Sequence, residues 1–313
     1  MARTCATRSI TARLRCGVGV FGVGILAAAL PLSIPAAEAT AETPGCAIAS
    51  TTTLMSWSAP GRDWVENIGY DRQGNLWVTH LFTGNVERYS PSGELTATVW
   101  IPFPAGIRQG PDGLLYINYG DAPTSPIPGW GFSGVVRLDP AAESPSPELF
   151  AVGASMSNGS AFDSAGNLYI TDTLAGITRI RPDGVIDRAW SDRARLFGAN
   201  GLSIIGDTLY VSATMSLGGK LWRMSVADPG LRSIVTQLNP DQMPALPDGL
   251  EAAPDGMLYA ATALGRLVQV NPTTGATCDA YHGEPLTSVT VGPDGRLVLG
   301  TELGNVLRLN PEL

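Results

Sequence analysis

The chain repeats itself six times, and the repeated unit is built of strands. Each copy reads as an apolar run, a tight turn containing glycine, and a second run of apolar and aromatic residues. The copies start at Glu66 (ENIGYDRQGNLWVTH), Ala105 (AGIRQGPDGLLYINY), Asn158 (NGSAFDSAGNLYITD), Asn200 (NGLSIIGDTLYVSA), Asp248 (DGLEAAPDGMLYAAT) and Thr287 (TSVTVGPDGRLVLGT). Their turn glycines, Gly74, Gly113, Gly166, Gly206, Gly256 and Gly295, are separated by 39, 53, 40, 50 and 39 residues. Strand-and-turn units at a period of about 40–50 residues specify a propeller or a solenoid, because one such unit cannot bury its apolar faces alone.

A third strand follows in every copy (GNVERYSP, SGVVRLDP, AGITRIRP, GKLWRMSV, GRLVQVNP, GNVLRLNP), and a fourth candidate follows in five, such as residues 97–101 or 233–238. Four strands per unit make a propeller blade. The sixth copy stops at three, while a spare strand, residues 51–58 (TTTLMSWS), precedes the first copy. Placed outermost in the last blade, against residues 305–310, it closes the ring and removes an exposed edge. The expectation is an all-β fold, one six-bladed β-propeller over residues 40–313. The 37 Gly and 24 Pro suit the many turns, and 44% hydrophobic with 15% charged residues gives a core rather than disorder. No segment after residue 39 carries a long helical period, which disfavours α/β folds with phosphate loops.

Residues 1–39 have the form of a Sec-type signal peptide. Arg3, Arg8, Arg13 and Arg15 make a basic start, residues 17–30 are uncharged and mostly apolar, and Ala37-Glu38-Ala39 offers a small-x-small cleavage site. The apolar run is short of the ~20 residues that span a bilayer. The mature chain is therefore expected outside the cytoplasm or in the cell envelope, without stable membrane insertion. Removing four Arg and Glu38 moves the net charge from −8 to −11, and an acidic surface makes nucleic acid a poor partner. Cys5 and Cys16 leave with the signal; Cys46 and Cys278 remain and, in an exported chain, are expected to pair.

In a propeller the innermost strands line a central channel, so the residue opening each inner strand faces a common axis. Those six residues are Glu66, Ala105, Asn158, Asn200, Asp248 and Thr287. Two carboxylates and two amides converging on one channel repel or stay unsatisfied without a partner. A hard divalent cation satisfies them, since Ca2+ takes six to eight oxygen ligands. With no Cys or His in the set, a typical zinc site fits less well. The plainer alternative is that Asn158-Gly159, Asn200-Gly201 and Asp248-Gly249 are turn dipeptides whose side chains cap backbone amides. The Pro-Asp-Gly triplets ending at Gly113, Gly256 and Gly295 are such turns, but they lie between strands, whereas Asp248 lies before one.

Taken together, the repeat over residues 60–310, with Glu66-Asn67 opening the first copy, Asn200-Gly201-Leu202 the fourth and Pro247-Asp248-Gly249 the fifth, resembles the regucalcin/gluconolactonase family. That resemblance implies a six-bladed propeller with one divalent metal, held by Glu66, Asn200 and Asp248, and hydrolysis of sugar lactones or related esters. Asp248 is then also the general base, and Asn158 contacts substrate. Ca2+ is the first choice of metal, with Zn2+, Mg2+ and Mn2+ as alternatives, and the chain is expected to act as a monomer on a small-molecule lactone or ester. Two departures touch the sugar side of the resemblance: the Glu-Gly/Ser-Pro-x-Trp opening reads Glu66-Asn67-Ile68-Gly69-Tyr70, and Met156 replaces a frequent Arg.

His80 and His282 are read as structural, and no Gly-x-Ser-x-Gly elbow supports a serine hydrolase. The alternative function is a non-catalytic binding propeller with a structural Ca2+, recognising carbohydrate or protein through its loops. A propeller lyase acting on cyclic peptides lacks its His constellation. Trp130, on the long stretch 121–134, is a candidate to cover a pocket mouth.

Overall fold

Six antiparallel sheets follow one another along the chain, and the inner strand of each packs on the inner strands of its two neighbours. The protein is a six-bladed β-propeller, seen in a computed structural model that describes residues 46–125, 133–239 and 244–310. Residues 1–39 and Trp130 lie outside the described residues. The inner strands are Val65–Tyr70, Pro104–Gln109, Ser157–Phe162, Ala199–Ile205, Pro247–Ala252 and Leu286–Val291. Among the described residues no helix is long and apolar enough to cross a bilayer.

The ring closes as expected. Strand Thr51–Ser56 pairs antiparallel with Asn305–Leu309, from Thr51 opposite Leu309 to Ser56 opposite Asn305, and completes the sixth blade. A Cys46–Cys278 disulfide, with Cα atoms 5.5 Å apart, ties the segment before this strand to the outer strand of blade five, Thr277–His282.

The third blade departs from the expected four strands and has three. Where its outer strand was expected, Ile186 makes a single bridge to Ile180 and the chain turns into a short helix, Arg188–Ser191. Asp187 caps that helix by accepting from the Trp190 N–H at 3.1 Å. The buried Trp190 ring packs edge-on to Tyr169, and its N–H donates to the Val226 carbonyl at 2.7 Å. A capped turn carrying a large buried anchor outweighs the weak strand tendency of Asp-Arg-Ala-Trp.

In five of the six blades an aspartate locks the turn between first and second strands. Asp71 accepts from the N–H groups of Gln73 and Asn75, Gly74 supplies the left-handed φ of +80°, and the Trp77 indole donates to the same carboxylate at 3.0 Å. Tyr169 and Asp163, and Tyr259 and Asp255, repeat the device. This is why an aromatic recurs three residues after the turn glycine. The apolar core lies between blades: Trp77, Val86 and Ile101 of the first pack with Ile107, Leu115 and Ile117 of the second.

Close approach of the inner strands depends on glycine after the site position. A Cβ on Gly106 would run into the Asn158 carbonyl, one on Gly159 would lie 2.6 Å from the Asn200 carbonyl, and one on Gly201 would run into the Asp248 carbonyl. Buried polar groups of the second strands bridge the same seams. Thr79 donates to the Ala105 carbonyl, Asn118 to Asn158, Thr171 to Asn200 and Ser212 to Asp248. Asn158, Asn200 and Asp248 are thus held through their backbones by the preceding blade.

Candidate functional site

All six inner strands lose their register with the second strand at or just after their first residues, for example between Val65 and Asn67, Ala199 and Leu202, and Pro247 and Leu250. A bulge releases a residue from the ladder and re-aims its side chain. Glu66, Asn158, Asn200 and Asp248 all sit at these irregularities, at one end of the channel.

Glu66 is 4% exposed, and its Oε2 accepts from the Trp64 indole N–H at 2.6 Å. The amide of buried Asn158 donates to Glu66 Oε1 at 3.4 Å and to Asp121 Oδ2 at 2.9 Å. Asn158 therefore joins two carboxylates rather than capping a backbone amide. Asn200 is buried, and its Oδ1 has no hydrogen-bond partner; the same holds for Asp121 Oδ1. Asp248, half-buried, completes the group with Glu302. Among the described residues, none of the four carboxylates makes an ion pair with Lys, Arg or His.

The electrostatics follow from that crowding. Burial pushes the Glu66 carboxyl above its ordinary range, against hydrogen bonds from Trp64, Asp121 and Asn158 that lower it. Asp121 is held well above the ordinary range, first by burial and then by repulsion from Glu66. Asp248 is too, by burial and then by repulsion from Glu66, Asp121 and Glu302, with a hydrogen bond to Asn200 acting the other way. Burial also raises Glu302.

Asp121 and Glu302 are the members that the repeat did not reveal. Both follow the second strand of their blade (Leu115–Tyr119 and Leu297–Thr301), and second strands end at the face where inner strands begin. A carboxylate within two residues of the end of a second strand was the available signal. Among the described residues no three His, Cys, Asp or Glu are gathered tightly enough to hold a metal by themselves. The expected set of Glu66, Asn200 and Asp248 is instead a mixed one, two carboxylates and an amide. Two orphaned buried oxygens and a cluster of unpaired carboxylates fit a hard divalent cation, which supplies what each of them lacks.

Below this group the channel is crossed by an ion pair. Arg108 and Glu251, each three residues along its inner strand from Ala105 and Asp248, belong to the opposite blades two and five. They meet through Nη2 to Oε2 at 2.9 Å and Nη1 to Oε1 at 3.4 Å. The cavity beside Arg108, between the glycines that follow the site residues, is about 20 Å3, the space of a single water. His80 is buried 3.4 Å from Glu87 and edge-on to Trp57, and His282 pairs with Asp279 on an outer strand.

No protein-family model and no curated protein sequence matches the chain. Among solved structures, the fold is similar to a gluconolactonase from Xanthomonas campestris, with 19% identity, 85% of this chain and 91% of that one covered, and a TM-score of 0.64. It is similar to the calcium-binding protein regucalcin from Agrobacterium tumefaciens, with 18% identity, 84% and 94% coverage, and a TM-score of 0.62. It is also similar to a streptogramin B lyase, with 13% identity, 83% and 97% coverage, and a TM-score of 0.56. At these identities the likeness establishes the shared propeller fold, including that of the family the sequence resembles.

Proposed function

We propose that the protein is an exported, metal-dependent hydrolase of lactones or related esters. The observation that carries this reading is the channel-end group: buried Glu66 and Asp121 with Asp248, no cationic partner, and an orphaned Asn200 oxygen. Glu66, Asn200 and Asp248 would hold the cation, with Ca2+ favoured by the all-oxygen set. When bound, it supplies Lewis acidity that polarises the substrate carbonyl and offsets charge on its oxygen. The chain's own residues do the rest. Trp64 fixes one oxygen of Glu66, and Asn158 orients the other against Asp121. Asp248 takes the proton from the attacking water as its oxygen adds to the carbonyl carbon. The ester C–O bond then breaks and the proton passes to the departing alkoxide, so a lactone gives a hydroxy acid and an open ester an acid and an alcohol. The Arg108–Glu251 pair under the group favours entry from the loop face.

Export is supported by the basic and apolar character of residues 1–39 and by the Cys46–Cys278 pair, which suits an oxidising compartment. The test is hydrolysis of a lactone and aryl-ester panel with and without chelator. Asp248→Ala abolishes turnover; Asn200→Ala weakens cation affinity with activity partly recovered at high cation concentration; Asn158→Ala changes KM or kcat while leaving cation binding nearly intact. Hydrolysis that survives both chelation and Asp248→Ala refutes the reading.

A further inference from the structure

The mouth of the site is apolar on nearly every side. Two residues before each site residue stand Trp64, Phe103, Met156, Gly198, Leu246 and Pro285. The six are equivalent by hydrogen bonding, since each carbonyl accepts from the N–H of the first residue past a second strand, as Leu81 to Trp64 and Thr173 to Met156. One residue further on, the loops carry Phe82, Asp121, Leu174, Leu264 and Leu303 at one repeat position, with Met215 following in the shorter fourth blade. Apart from Asp121 these side chains are large, apolar and solvent-exposed: Phe82 is 56% exposed and Met215 55%. Exposed apolar residues scattered singly need no explanation, but a ring of them around one opening does.

Contact ties this ring to the carboxylates. Trp64 donates to Glu66 Oε2 at 2.6 Å and stacks edge-on against Phe82 with centroids 5.7 Å apart. The Phe103 carbonyl accepts from the Asp121 N–H at 3.2 Å. Backbone conformation marks the same feature. Phe103 and Leu246 have φ of +46° and +44°, and in blade four the equivalent residue is Gly198 at +80°. Glycine serves that conformation without strain, whereas a bulky residue costs on the order of 1–3 kcal/mol. Among the described residues, the loops after the second strands carry no Lys, Arg or His to meet a polyhydroxylated ring.

We infer that the site takes lactones or esters bearing an apolar alkyl or aryl substituent, seated against Trp64, Phe82 and Phe103, in preference to polyhydroxylated sugar lactones. The inference rests on the hydrolase reading for its reaction, but its selectivity can be tested separately. Sugar hydroxyls would be desolvated against a wall that offers them few partners, while each methylene buried there gains roughly fourfold in affinity.

The experiment compares kcat/KM of the Ca2+-loaded protein for δ-decanolactone, unsubstituted δ-valerolactone and δ-gluconolactone. In parallel, binding of the corresponding non-hydrolysable lactams is followed by tryptophan fluorescence. Expected are a preference of at least tenfold for the decanolactone over each of the others and the same order among the lactams. Phe82→Ser, and independently Leu303→Ser, narrows the decanolactone-to-valerolactone ratio severalfold. A preference for gluconolactone, or a ratio that neither variant changes, overturns the inference. If no lactone is hydrolysed, the hydrolase reading fails, and the lactams decide selectivity alone: at least tenfold tighter decanolactam supports the apolar site, and equal or reversed affinities overturn it.

Discussion

Replacing Asp121 by Asn should stabilise the cation-free protein, and by more at pH 8 than in mild acid. Asn158 Nδ2 touches both Glu66 Oε1 and Asp121 Oδ2, so those oxygens are no more than about 6 Å apart, the two contacts taken end to end. At an effective dielectric of about 20, two unit charges at that distance repel by roughly 3 kcal/mol. An amide keeps the oxygen that accepts from Asn158 and removes the charge. Both carboxyls are raised by burial, so between the unfolded value near 4 and the folded one the native state holds the extra proton. Native stability therefore falls as pH rises through that window, and the penalty is fully developed above the folded values. Relaxation reduces the gain to about 1–3 kcal/mol, or a rise in Tm of roughly 3–8 °C for a domain of this size. The assay is calorimetry of wild type and Asp121→Asn in chelator at pH 8 and pH 4. Added Ca2+ should stabilise the wild type at pH 8 far more than at pH 4. A variant no more stable than wild type at pH 8, or equally stabilised at both pH values, refutes the reasoning.

Three further outcomes are expected. Gly201→Ala puts a Cβ on the Asp248 carbonyl and 2.5 Å from the Leu250 nitrogen, so it should cost at least about 3 kcal/mol, read as a loss of Tm; an unchanged Tm means that the blades are not in contact there. Thr171→Val removes the buried hydroxyl that binds the Gly159 and Asn200 carbonyls, and denaturant unfolding should register a loss of about 1–3 kcal/mol. Reducing Cys46–Cys278, or replacing both with Ala, should cost about 2–4 kcal/mol in thermal unfolding without changing cation affinity at the channel end.

What the sequence disclosed follows from which features repeat. The turn glycines and the aromatic after them recur because five of the six blades make an Asp-locked turn, so blade number and ring closure were legible. The positions of Glu66, Asn158, Asn200 and Asp248 were legible for the same reason, as equivalent points of six copies. Asp121 was hidden because it opens the stretch 121–134, which reads as an irregular loop in one copy only. Glu302 was hidden because its equivalents are Leu81, Gly120, Thr173, Thr214 and Ala263, a set without common chemistry. The missing outer strand of blade three depends on where Trp190 finds its pocket, against Tyr169 and Val226, and that is a tertiary fact. The seam-bridging groups Thr79, Asn118, Thr171 and Ser212 look like ordinary strand residues until the neighbouring blade is in place.

The pairing of Thr51–Ser56 with Asn305–Leu309 also sets the order of events as the chain is made. Blades one to five can form in turn as their residues emerge, each docking on the one before. The sixth cannot, because its outermost strand is synthesised first and must wait some 250 residues for its partner. Throughout that interval the Thr51–Ser56 strand and the flank of the first blade remain open edges, competent to pair with another unfinished copy. The last strand to appear therefore carries a disproportionate share of cooperativity. A chain cut just before Asn305 would lose two strands of the final blade rather than one, and with them the seal on the whole ring.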